Sequence, residues 1–172
     1  MPIQRLNHAV LYVRDAEVSA AFYEGMLGFV RLPFTGGLPG AVFLRAAGSA
    51  NDHDLGLFSI GSAAGRSAAG SSTVGLYHLA WEVDTLAELE RLAELLDSRG
   101  VLVGASDHGT TKSIYAVDPD GLGFEIAWIV PAELIDETAA AAQGRINRLD
   151  LEAEKIRYGA MTRSGGGTSG VG

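Results

Sequence analysis

The sequence predicts an α+β protein built from two copies of a β-α-β-β-β module, followed by a C-terminal helical extension. The segments LNHAVLYVRD (residues 6–15) and LYHLAWEVDT (residues 76–85) resemble each other, and each is followed by a helical pattern and three strand-like runs. The stretch SIGSAAGRSAAGSSTVG between the two halves has the composition of a flexible linker. Two copies are too few for a solenoid, so a sheet of paired modules fits best.

The first module spans about residues 3–61. Its first strand leads into the helical segment DAEVSAAFYEGML, for which Asp15 is the expected N-cap. In this helix one shared face carries Val18, Ala21, Phe22 and Leu27. The three strands expected after the helix are residues 28–33, 41–46 and 55–60.

The second module spans about residues 75–130. Its helical segment, DTLAELERLAELLDSRG, has leucines at helical spacing and reaches a stop signal at Gly100. These leucines are Leu86, Leu89, Leu92 and Leu96. The three following strands are expected at residues 101–105, 113–117 and 123–129.

The expected organisation is therefore one domain over residues 1–130, with residues 62–74 as the linker between its modules. Residues 131–158 form the helical extension, interrupted at Gly144, and residues 159–172 form a flexible tail. The extension carries more apolar side chains than a free helix should expose. We expect it to pack against the modules or against another subunit, which would make the protein a homo-oligomer, most simply a two-fold dimer.

Composition excludes several functional classes. The chain has 172 residues, of which 47% are hydrophobic and 20% are charged, so it is an ordinary globular sequence. A net charge of -8 argues against binding to nucleic acid or to an anionic membrane surface. Without cysteine there is no disulfide, zinc thiolate or cysteine nucleophile. No signal peptide and no run of about 20 apolar residues is present, so we expect a cytoplasmic protein.

Two of the four histidines occupy equivalent positions in the first strands of the two modules. Strand alternation places His8 and His78 on the less apolar face of each strand, opposite side chains that suit packing under a helix. Glu125 lies on the less apolar face of the last strand, between Gly123 and Ala127, whose small size leaves room. Each residue alone would more often be an ordinary core or surface residue, so the prediction depends on their combination.

Two imidazoles and one carboxylate facing a common cavity are a 2-His-1-carboxylate ligand set for a divalent metal. The predicted ligands are His8, His78 and Glu125. This set leaves coordination positions open, and without sulfur it favours non-haem Fe(II), with Mn(II) as the alternative.

The segment HGTTKSIYAVDPDGLGFE, from His108 to Glu125, carries a longer motif: a His, an apolar residue followed by Tyr115, a D-P-x-G turn and a Glu. With this motif the chain resembles the vicinal-oxygen-chelate superfamily (glyoxalase, bleomycin-resistance and type I extradiol dioxygenase proteins) over about residues 3–130. Within the superfamily it is most similar to the extradiol catechol 2,3-dioxygenases of the one-domain form. Ser106 departs from the signature, which usually has Gly, Asn, Thr or an aliphatic residue there.

The resemblance implies a fold and a reaction. The paired modules would form an open mixed-sheet barrel around the metal, and the enzyme would cleave catechol or a substituted catechol with O2, giving a 2-hydroxymuconic semialdehyde-type product. His53, His108 and Tyr115 would be the catalytic residues, His53 as acid and base, the other two as hydrogen-bond partners of the substrate oxygen. The implied partners are a small aromatic diol and O2, with neither nucleic acid nor membrane.

Three other functions are compatible with this fold. A metal-dependent glyoxalase-like or epimerase-like isomerase usually has a further Glu ligand at the end of the first module, where this chain has Leu55 and Leu57 nearby. A drug-binding resistance protein would not need the histidines, and an inactive paired-module protein is the third alternative. For the short one-domain form we expect part of the pocket wall to come from the C-terminal extension or a neighbouring subunit.

Overall fold

The protein is described by a computed structural model, which covers residues 2–3, 5–33, 38–70 and 72–165. The chain divides into two compact units. Unit 1 comprises residues 1–67 and 118–121, and unit 2 comprises residues 68–117 and 122–172. One residue of the predicted linker, Ser71, and residues 166–172 of the predicted tail lie outside the described residues.

Among its described residues, unit 1 contains a four-stranded mixed sheet and one helix. The sheet order is β1-β4-β3-β2, with β1 parallel to β4 and the other pairs antiparallel. In chain order the elements are β1 (Ala9–Val13), α1 (Ala16–Leu27), β2 (Val30–Arg31), β3 (Ala41–Arg45) and β4 (Leu55–Ser59).

Unit 2 repeats this topology with the order β5-β8-β7-β6, in which β5 is parallel to β8. Its elements are β5 (His78–Glu82), α2 (Leu86–Ser98), β6 (Leu102–Asp107), β7 (Thr111–Val117) and β8 (Gly123–Ile129), then α3 (Glu137–Ala142) and α4 (Leu151–Tyr158) in the extension. Two mixed sheets of equal strand order confirm the predicted α+β class and the paired β-α-β-β-β modules.

Helix α1 begins as expected but buries a different face from the one its apolar pattern suggested. The Asp15 carboxylate accepts from the backbone N–H groups of Glu17 and Val18, so it is the N-cap. Val18 and Ala21, however, are exposed. The residues buried under the helix are Ala16, Ser19, Ala20, Tyr23 and Met26. Small residues let α1 approach the sheet closely, and the Tyr23 and Met26 side chains supply the apolar area.

Helix α2 buries the predicted face. All four leucines at helical spacing are buried, and Thr85 caps the first turn by accepting from the N–H of Glu88. Gly100 follows the helix with a φ of 68°, the left-handed conformation that glycine adopts most readily.

Strand β8 alternates as the sequence predicts. Phe124, Ile126 and Trp128 are buried on one face. Glu125 therefore points to the opposite face of the sheet, which is the face that carries the candidate site.

The C-terminal extension packs on its own chain, against unit 2. The Tyr158 ring lies 5.5 Å from the Trp128 ring, measured between centroids, and the Lys155 ammonium lies 2.6 Å from a carboxylate oxygen of Glu90 on α2. The chain breaks between α3 and α4, where Gly144 has a φ of 77°. Residues 159–165 continue as a hydrogen-bonded segment as far as Gly165, whose N–H donates to the carbonyl of Ile129.

A buried lysine joins the extension to the sheet. Lys112 on β7 is fully buried, and its ammonium lies 2.5 Å from an Asp107 carboxylate oxygen and 3.0 Å from a Glu154 carboxylate oxygen on α4. The same ammonium lies 5.7 Å from the centroid of the Tyr158 ring, within cation–π range. Since a buried charge must be paired, this network ties α4 to the sheet.

None of the helices in the described part of the chain is both long enough and apolar enough to cross a bilayer.

Candidate functional site

The structure divides the six predicted site residues between the two units. Unit 1 contains two of them and unit 2 contains four. The unit 1 pair is His8 and His53, and the unit 2 group is His78, His108, Tyr115 and Glu125.

All four residues of the unit 2 group line one cavity of about 640 Å³. This volume lies within the range of small-molecule sites. Imidazole, phenol and carboxylate groups lie close together in its lining, and we call this part the polar end.

The polar end is built on the parallel pair β5 and β8. His78 stands opposite Gly123 in the register, where a β-carbon would come within 2.9 Å of the Tyr77 carbonyl. The glycine therefore lets β5 and β8 approach beside His78. The His78 Nε2 lies 2.9 Å from Glu125 Oε2, and the Ser113 hydroxyl donates to Glu125 Oε1 at 2.5 Å. The carboxylate is thus held at both oxygens.

The spacing of His78 and Glu125 fits two neighbouring positions around an octahedral divalent cation. Ligand atoms about 2.1 Å from such an ion and at right angles lie about 3.0 Å apart, close to the 2.9 Å between these two atoms. The donors, imidazole nitrogen and carboxylate oxygen, suit Fe(II) or Mn(II). Within the described residues, no group of three or more His, Cys, Asp or Glu side chains is arranged to hold a metal ion. The complete ligand set with His8 therefore stays a prediction.

His108 and Tyr115 form a directed hydrogen-bond chain. The carbonyl oxygen of Arg145 can only accept, so the His108 Nδ1 at 2.8 Å from it carries a proton. In neutral His108 the Nε2 is then an acceptor, and the Tyr115 hydroxyl donates to it at 2.8 Å. Burial raises the pKa of Tyr115, and the negative charge of Glu125 raises it further, so Tyr115 stays protonated at neutral pH.

The extension reaches His108 because the next residue is a glycine. Gly109 has a φ of 82°, and a β-carbon there would lie 2.4 Å from the carbonyl oxygen of Ala139 on α3. Further along, the backbones of Asp107 and Asn147 exchange two hydrogen bonds of 2.9 and 3.0 Å. Residues 145–147 are therefore fixed beside the cavity, which Ile146 also lines.

In unit 1, His8 and His53 lie next to each other, with ring centroids 4.2 Å apart. His8 Nδ1 lies 2.8 Å from Asn7 Oδ1, and His53 Nδ1 lies 3.1 Å from Asp52 Oδ2. Because both partners are acceptors, each Nδ1 carries the proton in the neutral ring. For His8 this tautomer leaves the Nε2 lone pair as the one that would bind a metal.

The sequence interpretation missed two groups at the unit 2 cavity. Ser113, which holds Glu125, was not singled out, although strand alternation places it on the same face of β7 as Tyr115. The Arg145 carbonyl has no signal in the sequence, since every amino acid offers the same backbone oxygen.

Unit 1 has no carboxylate at the position equivalent to Glu125. In unit 2, Glu125 pairs with Ala80, two residues after His78. The corresponding residue of β1, two after His8, is Val10, and it pairs with Gly56. Gly56 therefore occupies the position at which the isomerases have their first-module Glu ligand. It lies between Leu55 and Leu57, the two leucines named in the sequence analysis.

Comparison with known proteins identifies the family. The sequence model of the glyoxalase/bleomycin resistance protein/dioxygenase superfamily matches residues 5–126. The chain belongs to this superfamily. The superfamily match ends before the extension, so α3, α4 and the loop that contacts His108 lie outside the matched residues.

Solved structures show the same fold. A glyoxylase/bleomycin resistance protein/dioxygenase domain from Frankia sp. EAN1pec is 19% identical, with a TM-score of 0.62, over 76% of this chain and 96% of that one. A glyoxalase/dioxygenase from Nostoc punctiforme is 20% identical, with a TM-score of 0.59, over 72% and 90% of the two chains. At these identities the likeness concerns the fold alone.

A third structure of this fold contains a metal. It is a mutant of the fosfomycin resistance protein FosX from Listeria monocytogenes, complexed with Mn(II) and 1S,2S-dihydroxypropylphosphonic acid. It is 22% identical, with a TM-score of 0.56, over 77% of this chain and 96% of that one. A comparison with curated protein sequences found no match.

Proposed function

We propose that this protein is an Fe(II)-dependent extradiol dioxygenase that cleaves the ring of catechol or a substituted catechol with O2. The product would be a 2-hydroxymuconic semialdehyde or its substituted equivalent, with both atoms of O2 retained. The observation that carries the proposal is the unit 2 cavity, where the His78–Glu125 pair and the His108–Tyr115 pair lie together.

His78 and Glu125, with His8, would hold the metal. When bound, Fe(II) supplies the electronic link between catechol and O2 that a purely organic site lacks. Ser113 keeps Glu125 oriented through its hydrogen bond to Oε1. A supporting partner of this kind typically changes metal affinity about 10–100-fold.

His108 and Tyr115 would act on the substrate oxygen. The Tyr115 proton points to His108 Nε2, so the lone pairs of the Tyr115 oxygen are available to accept a hydrogen bond from a substrate hydroxyl. The chain from substrate to Tyr115 to His108 can then take up a proton as the diol ionises, because Tyr115 can accept the substrate proton while it passes its own proton to His108 Nε2. His53 would be the second acid–base group, as the resemblance implies.

The isomerase alternative has less support. Gly56 at the position equivalent to Glu125 leaves the first module without the further carboxylate ligand. A drug-binding resistance protein is a distinct outcome of the test below, because it would bind an aromatic ligand without consuming O2.

The test is anaerobic reconstitution with Fe(II), followed by oxygen-uptake assays on a panel of catechols, with Mn(II) loaded in parallel. We expect one O2 consumed per catechol, and both ¹⁸O atoms in the product from ¹⁸O2. Tyr115→Phe should slow turnover by about 10²-fold or more while retaining metal. The matched control is Tyr158→Phe, which removes a buried hydroxyl that has no hydrogen-bond partner among the described residues and lies outside the cavity lining. Catechol binding without oxygen uptake under either metal would refute the dioxygenase.

A further inference from the structure

The lining of the unit 2 cavity includes exposed apolar side chains as well as polar ones, and we call the apolar part the rim. The rim consists of Tyr77, Val103 and Ile146, all of which line the cavity. Their exposed fractions are 78%, 65% and 81%. Large apolar side chains that are this exposed and gathered at one cavity are typical of a ligand-contacting surface.

Two of the three rim residues are held there by irregular backbone. Val103 lies at the register shift between Leu102 and Gly104, and bulges of this kind redirect a side chain out of the regular alternation. Ile146 lies between two backbone anchors, the Arg145 carbonyl on His108 and the Asn147 pairing with Asp107. Because the backbone is anchored on both sides of Ile146, its side chain has a fixed position at the cavity.

The position of Ile146 relative to His108 determines which part of a ligand it meets. The hydrogen bond that orients His108 is accepted by the carbonyl of Arg145, the residue directly before Ile146. A diol bound next to His108 and Tyr115 would therefore bring its ring close to Ile146, which lines the same cavity. Val103 and Ile146 are the aliphatic side chains among the lining residues and both belong to the rim, so they are the surfaces that suit an alkyl group.

We propose that Ile146 is a specificity-determining residue, and that the extension thereby selects catechols with an apolar ring substituent over catechol itself. This inference rests on the proposed function in taking the substrate to be a catechol. The contact it assigns, between an apolar group on an aromatic ring and the Ile146 side chain, can be measured without turnover.

The test compares Ile146→Ala with Ile156→Ala. Ile156 is the matched control because it is 86% exposed, on α4, and does not line the cavity. On the Fe(II)-loaded protein we expect Ile146→Ala to raise the KM for 4-tert-butylcatechol about 10-fold, the lower end for a lost apolar contact in a pocket. The KM for catechol and kcat for both substrates should stay close to wild type, and Ile156→Ala should change none of these values.

A second measurement uses metal-free protein and isoleucine δ1-methyl NMR with 4-tert-butylcatechol as the probe. We expect the Ile146 methyl signal, identified by its loss in Ile146→Ala, to shift while the Ile156 signal stays fixed. If the signal shifts but no catechol supports oxygen uptake, the proposed function fails and the contact stands. If oxygen uptake occurs but Ile146→Ala changes the KM of both catechols equally, the specificity role is refuted. An unmoved Ile146 signal at saturating probe also refutes it.

Discussion

Replacement of Lys112 by Met should destabilise unit 2 by about 3 kcal/mol. Lys112 is fully buried, and its ammonium neutralises two carboxylates, Asp107 at 2.5 Å and Glu154 at 3.0 Å, which are themselves only 20% and 12% exposed. Removing one partner of a buried ion pair costs about 3–5 kcal/mol because the other charge stays buried. We take the lower end because both carboxylates keep some contact with water, and Met preserves most of the side-chain volume.

Urea unfolding followed by tryptophan fluorescence measures this change where it occurs, since both tryptophans, Trp81 and Trp128, belong to unit 2. A loss of about 3 kcal/mol corresponds to a fall in Tm of about 6–12 °C for a chain of this size. The control is Arg91→Met on α2, whose guanidinium contacts the Glu88 carboxylate and whose side chain is 55% exposed. Surface pairs contribute little, so this variant should unfold close to the wild-type midpoint. Equal stability of Lys112→Met and wild type would contradict the buried network.

Other predictions concern the site and the assembly. Glu125→Ala should abolish iron binding with little change in far-UV circular dichroism, and full iron occupancy by elemental analysis would show that Glu125 is not a ligand. His53→Ala should retain iron and bind catechol but turn over about 10²–10⁴-fold more slowly; loss of iron would instead make His53 a ligand. Ser113→Ala should weaken metal affinity about 10–100-fold in a competition titration, whereas Ser106→Ala, on the same cavity, should not. Light scattering of the full chain should give the mass of a dimer, and a monomer at assay concentration would remove the oligomer proposal.

The strands could be predicted from the sequence because their signal is local. In β8, Phe124, Ile126 and Trp128 alternate with Glu125, and the alternation alone assigns the two faces. The leucines of α2 give an equally clear helical face. In α1 the buried face is made largely of alanine and serine, so its apolar pattern pointed to Val18, which lies on the exposed side. Close packing of small residues depends on the partner surface, which the helix sequence does not contain.

The site was predictable where side chains carry the chemistry. The unit 2 cavity gathers His78, His108, Tyr115 and Glu125, all four of which the motif and the module repeat identified. Their supports were harder to find. Ser113 has no distinctive spacing, and the role of Gly109 is visible only once α3 lies against it. Tertiary contacts of this kind arise between segments far apart in sequence, such as His108 and Arg145 at a separation of 37 residues.

The hydrogen bond between the Arg145 carbonyl and His108 depends on the length of the loop after α3 and very little on its amino-acid composition. Any amino acid except proline at position 145 would present the same oxygen and keep the N–H that donates to the Ala142 carbonyl, so such substitutions should leave this contact unchanged. A single residue inserted between Ala142 and Asn147 would move that oxygen by up to about 3.5 Å, enough to break a 2.8 Å hydrogen bond. Insertions and deletions in this loop should therefore affect the site more than substitutions do. A comparison of related sequences that scores only residue identity would miss this difference.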